Sequence, residues 1–196
     1  RQAISESQIV DKFGLNRGEF YVASLHREEN VDNPARFERF INIFRHVSQI
    51  HKLPVIVSTH PRTRKLLARI EIPEYSGVRF VEPLSFTDYV SLQMGSRAIL
   101  SDSGTICEEA SMLGLRAINL RESHERAEAT EEGSVITVGD DVNRVDRALR
   151  ILDHQSKSES STLRIPADYQ AVNVAEKVSR IIHSFTEFVM VRNRRI

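Results

Sequence analysis

A doubly wound α/β domain built on a parallel sheet is the fold the sequence predicts, on three observations. Short apolar runs recur along the chain at residues 20–25, 53–59, 78–81, 98–100, 116–120 and 134–138, about six strands in all. Segments with apolar residues at spacings of three and four lie between them, as helices crossing a parallel sheet require. Polar bursts follow several of the apolar runs directly. In open α/β sheets that edge is where ligands bind.

Residues 4–13 read as a helix with Ile4, Ile9, Val10 and Phe13 on its inner face and Gly14 as its stop. FYVASL, at 20–25, is apolar at nearly every position, the mark of a strand covered on both faces. The burst His26-Arg27-Glu28-Glu29-Asn30 comes next. Asn33 and Pro34 open the clearest amphipathic helix, with Phe37, Phe40, Ile41, Phe44 and Val47 as one stripe. LPVIVST, at 53–59, ends in the turn His60-Pro61-Arg62; a short helix at 64–70 and a strand at 78–81 follow. Ser85, three residues before Asp88, has the spacing of a capping box for a helix through Met94.

The stretch 97–120, RAILSDSGTICEEASMLGLRAINL, reads as strand, tight turn, helix and strand, a βαβ unit with Gly114 ending the helix. A helix start at the carboxyl end of a parallel strand offers free N–H groups and the positive end of the helix dipole, which suits a phosphate. Ser103 and Thr105 add hydroxyls there, and Gly104 allows close approach. One turn on, Glu108 and Glu109 can accept from ribose hydroxyls. An ordinary capped helix with two solvated acids has the same pattern. A second polar turn at 121–132, a strand, a helix at 142–152, a polar connection at 154–161 and a closing helix from Ala171 to about Val189 complete the chain.

Its 196 residues, 40% of them hydrophobic, suffice for one full core and most simply make one domain. Basic and acidic residues both number 27, without the basic excess of a dedicated nucleic-acid binder. No apolar run approaches the roughly 20 residues of a membrane span. The one cysteine, Cys107, excludes an intrachain disulfide and fits a reducing compartment, so a cytoplasmic location without a signal peptide is expected. Its position suits packing, not redox chemistry. The histidines and acids fall at no tight metal-ligand spacing. The first residue is Arg, which raises the expectation that the chain is part of a longer one.

Four segments in order, LHREEN (25–30), STHPRT (58–63), SDSGTICEEA (101–110) and RESHERAE (121–128), resemble the signatures of the non-hydrolysing UDP-N-acetylglucosamine 2-epimerase family. The resemblance spans nearly the whole chain and is to the family's carboxyl-terminal half, one Rossmann-like half of a GT-B type fold. It implies that residues 1–196 form the nucleotide-binding domain and that the amino-terminal half, with the acids credited with proton transfer, is absent. Such a half binds but hardly turns over. The implied reaction eliminates UDP to leave a 2-acetamidoglycal and adds it back after the C2 proton returns to the opposite face. No cofactor is implied, NAD included. A homodimer is implied at full length.

Carried onto this sequence, the resemblance puts Ser103, Gly104 and Thr105 at the diphosphate and makes Glu109 the ribose-binding glutamate. It makes His26 the catalytic histidine at the diphosphate and sugar, with Arg27 beside it in the substrate-binding set. Arg126 would reach the same region, and Tyr89 falls where an aromatic ring lies near uracil. There are departures: Thr105 and Cys107 stand where the family commonly has Gly and Gln, and Ala127 replaces a usual proline. The LHREEN and HER context is closest to a branch that epimerises a 6-deoxy sugar to UDP-N-acetyl-L-fucosamine. A GT-B glycosyltransferase and a non-enzymatic UDP-sugar-binding module are the competing readings. The closing helix is expected to pack against the missing half.

Overall fold

Residues 2–59, 67, 77–122, 126–155 and 163–193 are described by the structure, a computed structural model. The chain divides into two compact units, Arg1–Ile165 and Pro166–Ile196. In the first, helices α1 (Gln2–Ser5) and α2 (Ile9–Lys12) precede strand β1 (Tyr21–Ser24), and α3 (Glu28–Val31) and α4 (Pro34–His51) lead to β2 (Val55–Ser58). Then come β3 (Val78–Val81), α5 (Phe86–Gly95), β4 (Ala98–Ser101), α6 (Ile106–Leu113), β5 (Ala117–Asn119), α7 (Ala127–Glu131), β6 (Ile136–Thr137) and α8 (Val142–His154).

The six strands form one sheet in the order β3-β2-β1-β4-β5-β6, with every pair parallel. This is the doubly wound α/β architecture expected from the sequence. The chain winds outward from β1 to β3, then returns to lay β4 on the other side of β1. Between β1 and β4 the winding reverses, and a crevice opens there at the carboxyl ends of the strands. Both strands are buried at every position, because helices cover both faces.

Local chemistry fixes the helices that set this frame. The Asn33 side chain accepts from the Arg36 N–H at 3.1 Å, and Pro34 supplies a first residue whose missing N–H costs nothing. Phe37, Phe40, Ile41, Phe44 and Val47 are then fully buried as one stripe. Truncating any of the three phenylalanines costs about 3–5 kcal/mol. Ser85 accepts from the Asp88 N–H at 3.2 Å and starts α5, while Gly114 closes α6 at φ 62°.

Three local expectations change. Residues 4–13 form two short helices, not one: the Ser7 hydroxyl between them donates to Asp88 at 2.6 Å, which ties the chain to α5 and interrupts the helix. The polar stretches at 26–30 and 121–132 contain helical turns, α3 and α7, because their backbone groups are met locally at a sheet edge. Finally, α6 starts at Ile106 with Thr105 as its cap residue and no side-chain cap bond there. His60, most of the expected helix at 64–70, residues 123–125 and most of the polar connection at 154–161 lie outside the described residues.

The second unit holds a 3-10 turn at Ala167–Gln170 and α9 (Val174–Asn193). Val174, Val178, Ile181, Ile182 and Phe185, at helical spacing, are exposed.

Candidate functional site

The crevice between β1 and β4 is organised by Asp102, the residue that follows β4. Its carboxylate is completely buried and accepts from the His26 N–H at 2.8 Å, the Arg27 N–H at 3.1 Å and the Asn30 side-chain amide at 2.8 Å. The Asp102 N–H in turn donates to the Ser24 carbonyl at 3.3 Å. Beneath it the Ser24 and Ser101 hydroxyls bond across the two strands at 2.8 Å. The loop bearing His26 and the loop bearing Ser103 are therefore held to one another, and the strand register, Ser24 opposite Ser101, sets them level.

On the β4 side, Ser103 turns the chain into α6. Its N–H donates to the Ser101 hydroxyl at 3.0 Å, and its own hydroxyl lies 3.0 Å from that of Thr105 and accepts from the Thr105 N–H at 3.3 Å. Gly104 and Ser103 are half-buried and Thr105 is exposed. The first N–H groups of α6 lack intrahelical acceptors and carry the positive end of the dipole. That makes the 103–106 turn suited to an anion.

Glu109, one turn into α6, is oriented on both carboxylate oxygens: Gln93 donates to Oε2 at 2.8 Å and Thr105 to Oε1 at 2.9 Å. Each oxygen keeps a further lone pair for a hydroxyl. The Tyr89 ring comes to the same place from α5. Burial of its hydroxyl pushes the pKa up to about 12, against the opposing pull of hydrogen bonding with Ser24 and Gln93. Tyr89 is thus a neutral hydrogen-bonding group at any ordinary pH.

His26 is exposed at the end of β1, and Arg27 beside it is half-buried with its guanidinium 3.3 Å from Glu29. Arg126 reaches α6, where its Nε donates to Glu108 at 2.8 Å, one residue before Glu109. Glu108, which the sequence offered as a ribose acceptor or as a solvated acid, is the anchor of the arginine. Cys107 is buried, and burial pushes its thiol pKa up, so it is a packed side chain and not a ready nucleophile. Among the described residues no group of three or more His, Cys, Asp or Glu is placed to hold a metal, and no helix is long and apolar enough to cross a membrane.

Sequence reasoning missed Asp102, Asn30 and Gln93. Asp102 was readable only as a small polar turn residue. The signal that finds it is an acid directly after one inner strand, facing an amide just beyond the neighbouring one. Gln93 lies in an apolar helix face, with 1% exposure, and carries no motif.

A cleft of about 1010 Å³ opens at the other end of the sheet, where β5 and β6 begin, with Met94, Leu113, Leu115, Val135 and Leu163 among its walls. It contains none of the residues above. Size alone does not outweigh the converging polar groups at the strand ends.

Comparison with known proteins decides the family. The sequence model for UDP-N-acetylglucosamine 2-epimerase matches residues 1–183. The chain belongs to the UDP-N-acetylglucosamine 2-epimerase family. Among curated relatives, the UDP-N-acetylglucosamine 2-epimerase of Methanocaldococcus jannaschii is 31% identical over 144 residues, 71% of this chain and 39% of that protein. A UDP-2,3-diacetamido-2,3-dideoxy-D-glucuronate 2-epimerase of Pseudomonas aeruginosa is 31% identical over 61% of this chain and 33% of its own length. Among solved structures, the UDP-N-acetylglucosamine 2-epimerase of Rickettsia bellii superposes with a TM-score of 0.82 at 36% identity, covering 96% of this chain and 50% of that one. The Methanocaldococcus jannaschii 2-epimerase, solved in complex with UDP-GlcNAc and UDP, gives 0.80 at 26% identity over 93% and 50%. The chain spans half or less of the length of these 2-epimerases. That fits one Rossmann-like half of a GT-B type fold, the carboxyl-terminal one in the sequence reading.

Proposed function

We propose that this chain is the UDP-holding half of an enzyme that epimerises a UDP-N-acetyl amino sugar at C2. The turn at Ser103, Gly104 and Thr105 takes the diphosphate, and the ribose hydroxyls donate to Glu109. Tyr89 lies toward the base, and His26 with Arg27 faces the diphosphate and sugar. Arg126 steadies α6 through Glu108. The observation that carries this reading is Glu109, whose two oxygens are already oriented by Gln93 and Thr105 beside a helix start at the switch point. A relative with the same half-fold, solved with UDP-GlcNAc and UDP, supports the ligand class.

In the proposed reaction a base removes the C2 proton, a C1–C2 double bond forms, and the C1–O bond breaks with its electron pair leaving on the diphosphate. UDP then adds back to the 2-acetamidoglycal after a proton reaches the other face of C2. The departing diphosphate gains negative charge, so fixed N–H donors and the helix dipole stabilise the transition state more than the bound sugar nucleotide. An imidazole at His26 can donate to the leaving oxygen. The acids that exchange the C2 proton belong to the other half of the full-length enzyme in this reading.

Calorimetric titration with UDP tests the reading. The parent chain binds, and Glu109→Ala and Ser103→Ala each weaken binding about tenfold or more, the loss of a hydrogen bond to a charged group. Binding unaffected by both substitutions would sink it. Epimerisation by the full-length protein, assayed with UDP-N-acetylglucosamine and with its 6-deoxy L-talo counterpart, then separates the general activity from the fucosamine-forming branch.

A further inference from the structure

We propose that Asp102 is the positioning residue that fixes His26 against the diphosphate end of the site, an inference that rests on the UDP half-site reading above. Asp102 touches neither nucleotide nor sugar in this scheme. It acts through the loop it holds.

The donors that reach Asp102 are consecutive in the chain. His26 and Arg27 both turn their backbone N–H groups onto one carboxylate, at 2.8 and 3.1 Å, so the backbone bends around it and the departure directions of both side chains are set. Asn30 closes the loop from its far end at 2.8 Å. Asp102 is itself fixed: it directly follows β4, it is fully buried, and its backbone N–H donates to the Ser24 carbonyl of β1. The next residue is Ser103. One side chain thus spans the switch point and joins the histidine loop to the turn that takes the diphosphate.

Only an acceptor on both oxygens satisfies three converging N–H donors; an asparagine would turn an N–H against at least one of them. Bonds to an ionised acceptor are also shorter and stronger than neutral ones. That matters because a misplacement of about 1 Å at a reacting group costs on the order of a hundredfold in rate. The buried carboxylate therefore exchanges hydration for a fixed loop geometry.

A double-mutant cycle on UDP binding by the 196-residue chain tests this. Asp102→Asn and His26→Ala are each expected to weaken UDP about tenfold, and the double variant to be no weaker than His26→Ala by more than about twofold. Additive losses, about a hundredfold together, would mean that Asp102 works independently of His26 and would overturn the proposal. So would an Asp102→Asn chain that binds like the parent. The pair Asn30→Asp with Asp102→Asn restores a carboxylate against an amide with the roles exchanged and is expected to recover part of the loss. Amide hydrogen exchange in the unaltered chain supplies an arm independent of folding variants: the His26 and Arg27 N–H groups exchange slowly if the carboxylate holds them, and exchange at the rate of neighbouring exposed loop amides refutes the clamp. A parent that does not bind UDP, with these two amides still protected, overturns the half-site reading and the assigned role of Asp102 in it, leaving only the clamp.

Discussion

Polar groups are paired at both ends of the parallel sheet, but by opposite strategies. At the amino end, Arg97 just before β4 forms a two-pronged bond with Asp153 of α8, at 3.0 and 2.8 Å. Beside it the Tyr21 ring packs on His51, with centroids 5.3 Å apart. Charges there close on each other. At the carboxyl end Asp102 is held by N–H donors from a loop, and Glu109 by Gln93 and Thr105. Hydroxyls and a helix start remain at the surface beside them. The difference teaches that a closed ion pair locks elements together, whereas a carboxylate held by neutral donors shapes a loop for something else to meet.

Removing each acid or base tests that contrast most severely. Asp102→Ala strands the buried Asn30 amide and two part-buried backbone N–H groups, each worth up to about 1–3 kcal/mol, so a loss of about 3 kcal/mol in urea unfolding is expected. Arg97→Met leaves Asp153, whose side chain is 25% exposed against 36% for the arginine, able to recover water, so the loss is about 1 kcal/mol. Equal losses at the two ends would erase the distinction.

How much of this the sequence disclosed follows from what each signal depends on. The inner strands were legible because parallel strands buried on both faces read as unbroken apolar runs; the edge strand β3, where Arg79 is exposed, was also bounded to the residue. The phosphate-type turn was legible because Ser103, Gly104 and Thr105 are neighbours in the chain. Asp102 and Gln93 were not, since each acquires its role from a partner brought in by tertiary structure: Gln93 is 16 residues from Glu109, and Asp102 is 76 from His26. The break between α1 and α2 escaped notice for the same reason, as it depends on Ser7 meeting Asp88, 81 residues away.

A milder test stays at the carboxyl end. Gln93→Leu keeps the volume but removes the donor to Glu109, whose half-exposed carboxylate can take water instead. Stability is expected to change by less than about 1 kcal/mol, while UDP affinity falls about fivefold, the worth of one ordinary hydrogen bond. A variant that loses stability but binds UDP as the parent does would show Gln93 to be a core residue only.

The smallest effect belongs to the amino end and is read in its pH dependence. Burial, followed by the Arg97 charge, lowers the His51 pKa below its ordinary 6.5, and the opposing influence of Asp153 and Asp146 does not restore it. Between the folded value and 6.5 the unfolded chain binds more protons, so stability is complete above 6.5 and declines as pH falls toward the folded value. Asp153 does not confuse the reading. Burial works against its charge, but the Arg97 hydrogen bonds and charge prevail and hold its pKa below 3.8, so its share is lost only in stronger acid. Urea midpoints compared at about pH 7.5 and 5.5 should therefore drop for the parent and drop less for His51→Phe, which keeps a ring against Tyr21 without a titrating nitrogen. If the substitution leaves the drop unchanged, the sensitivity lies elsewhere, and the amino end is not the pH-responsive one of the two.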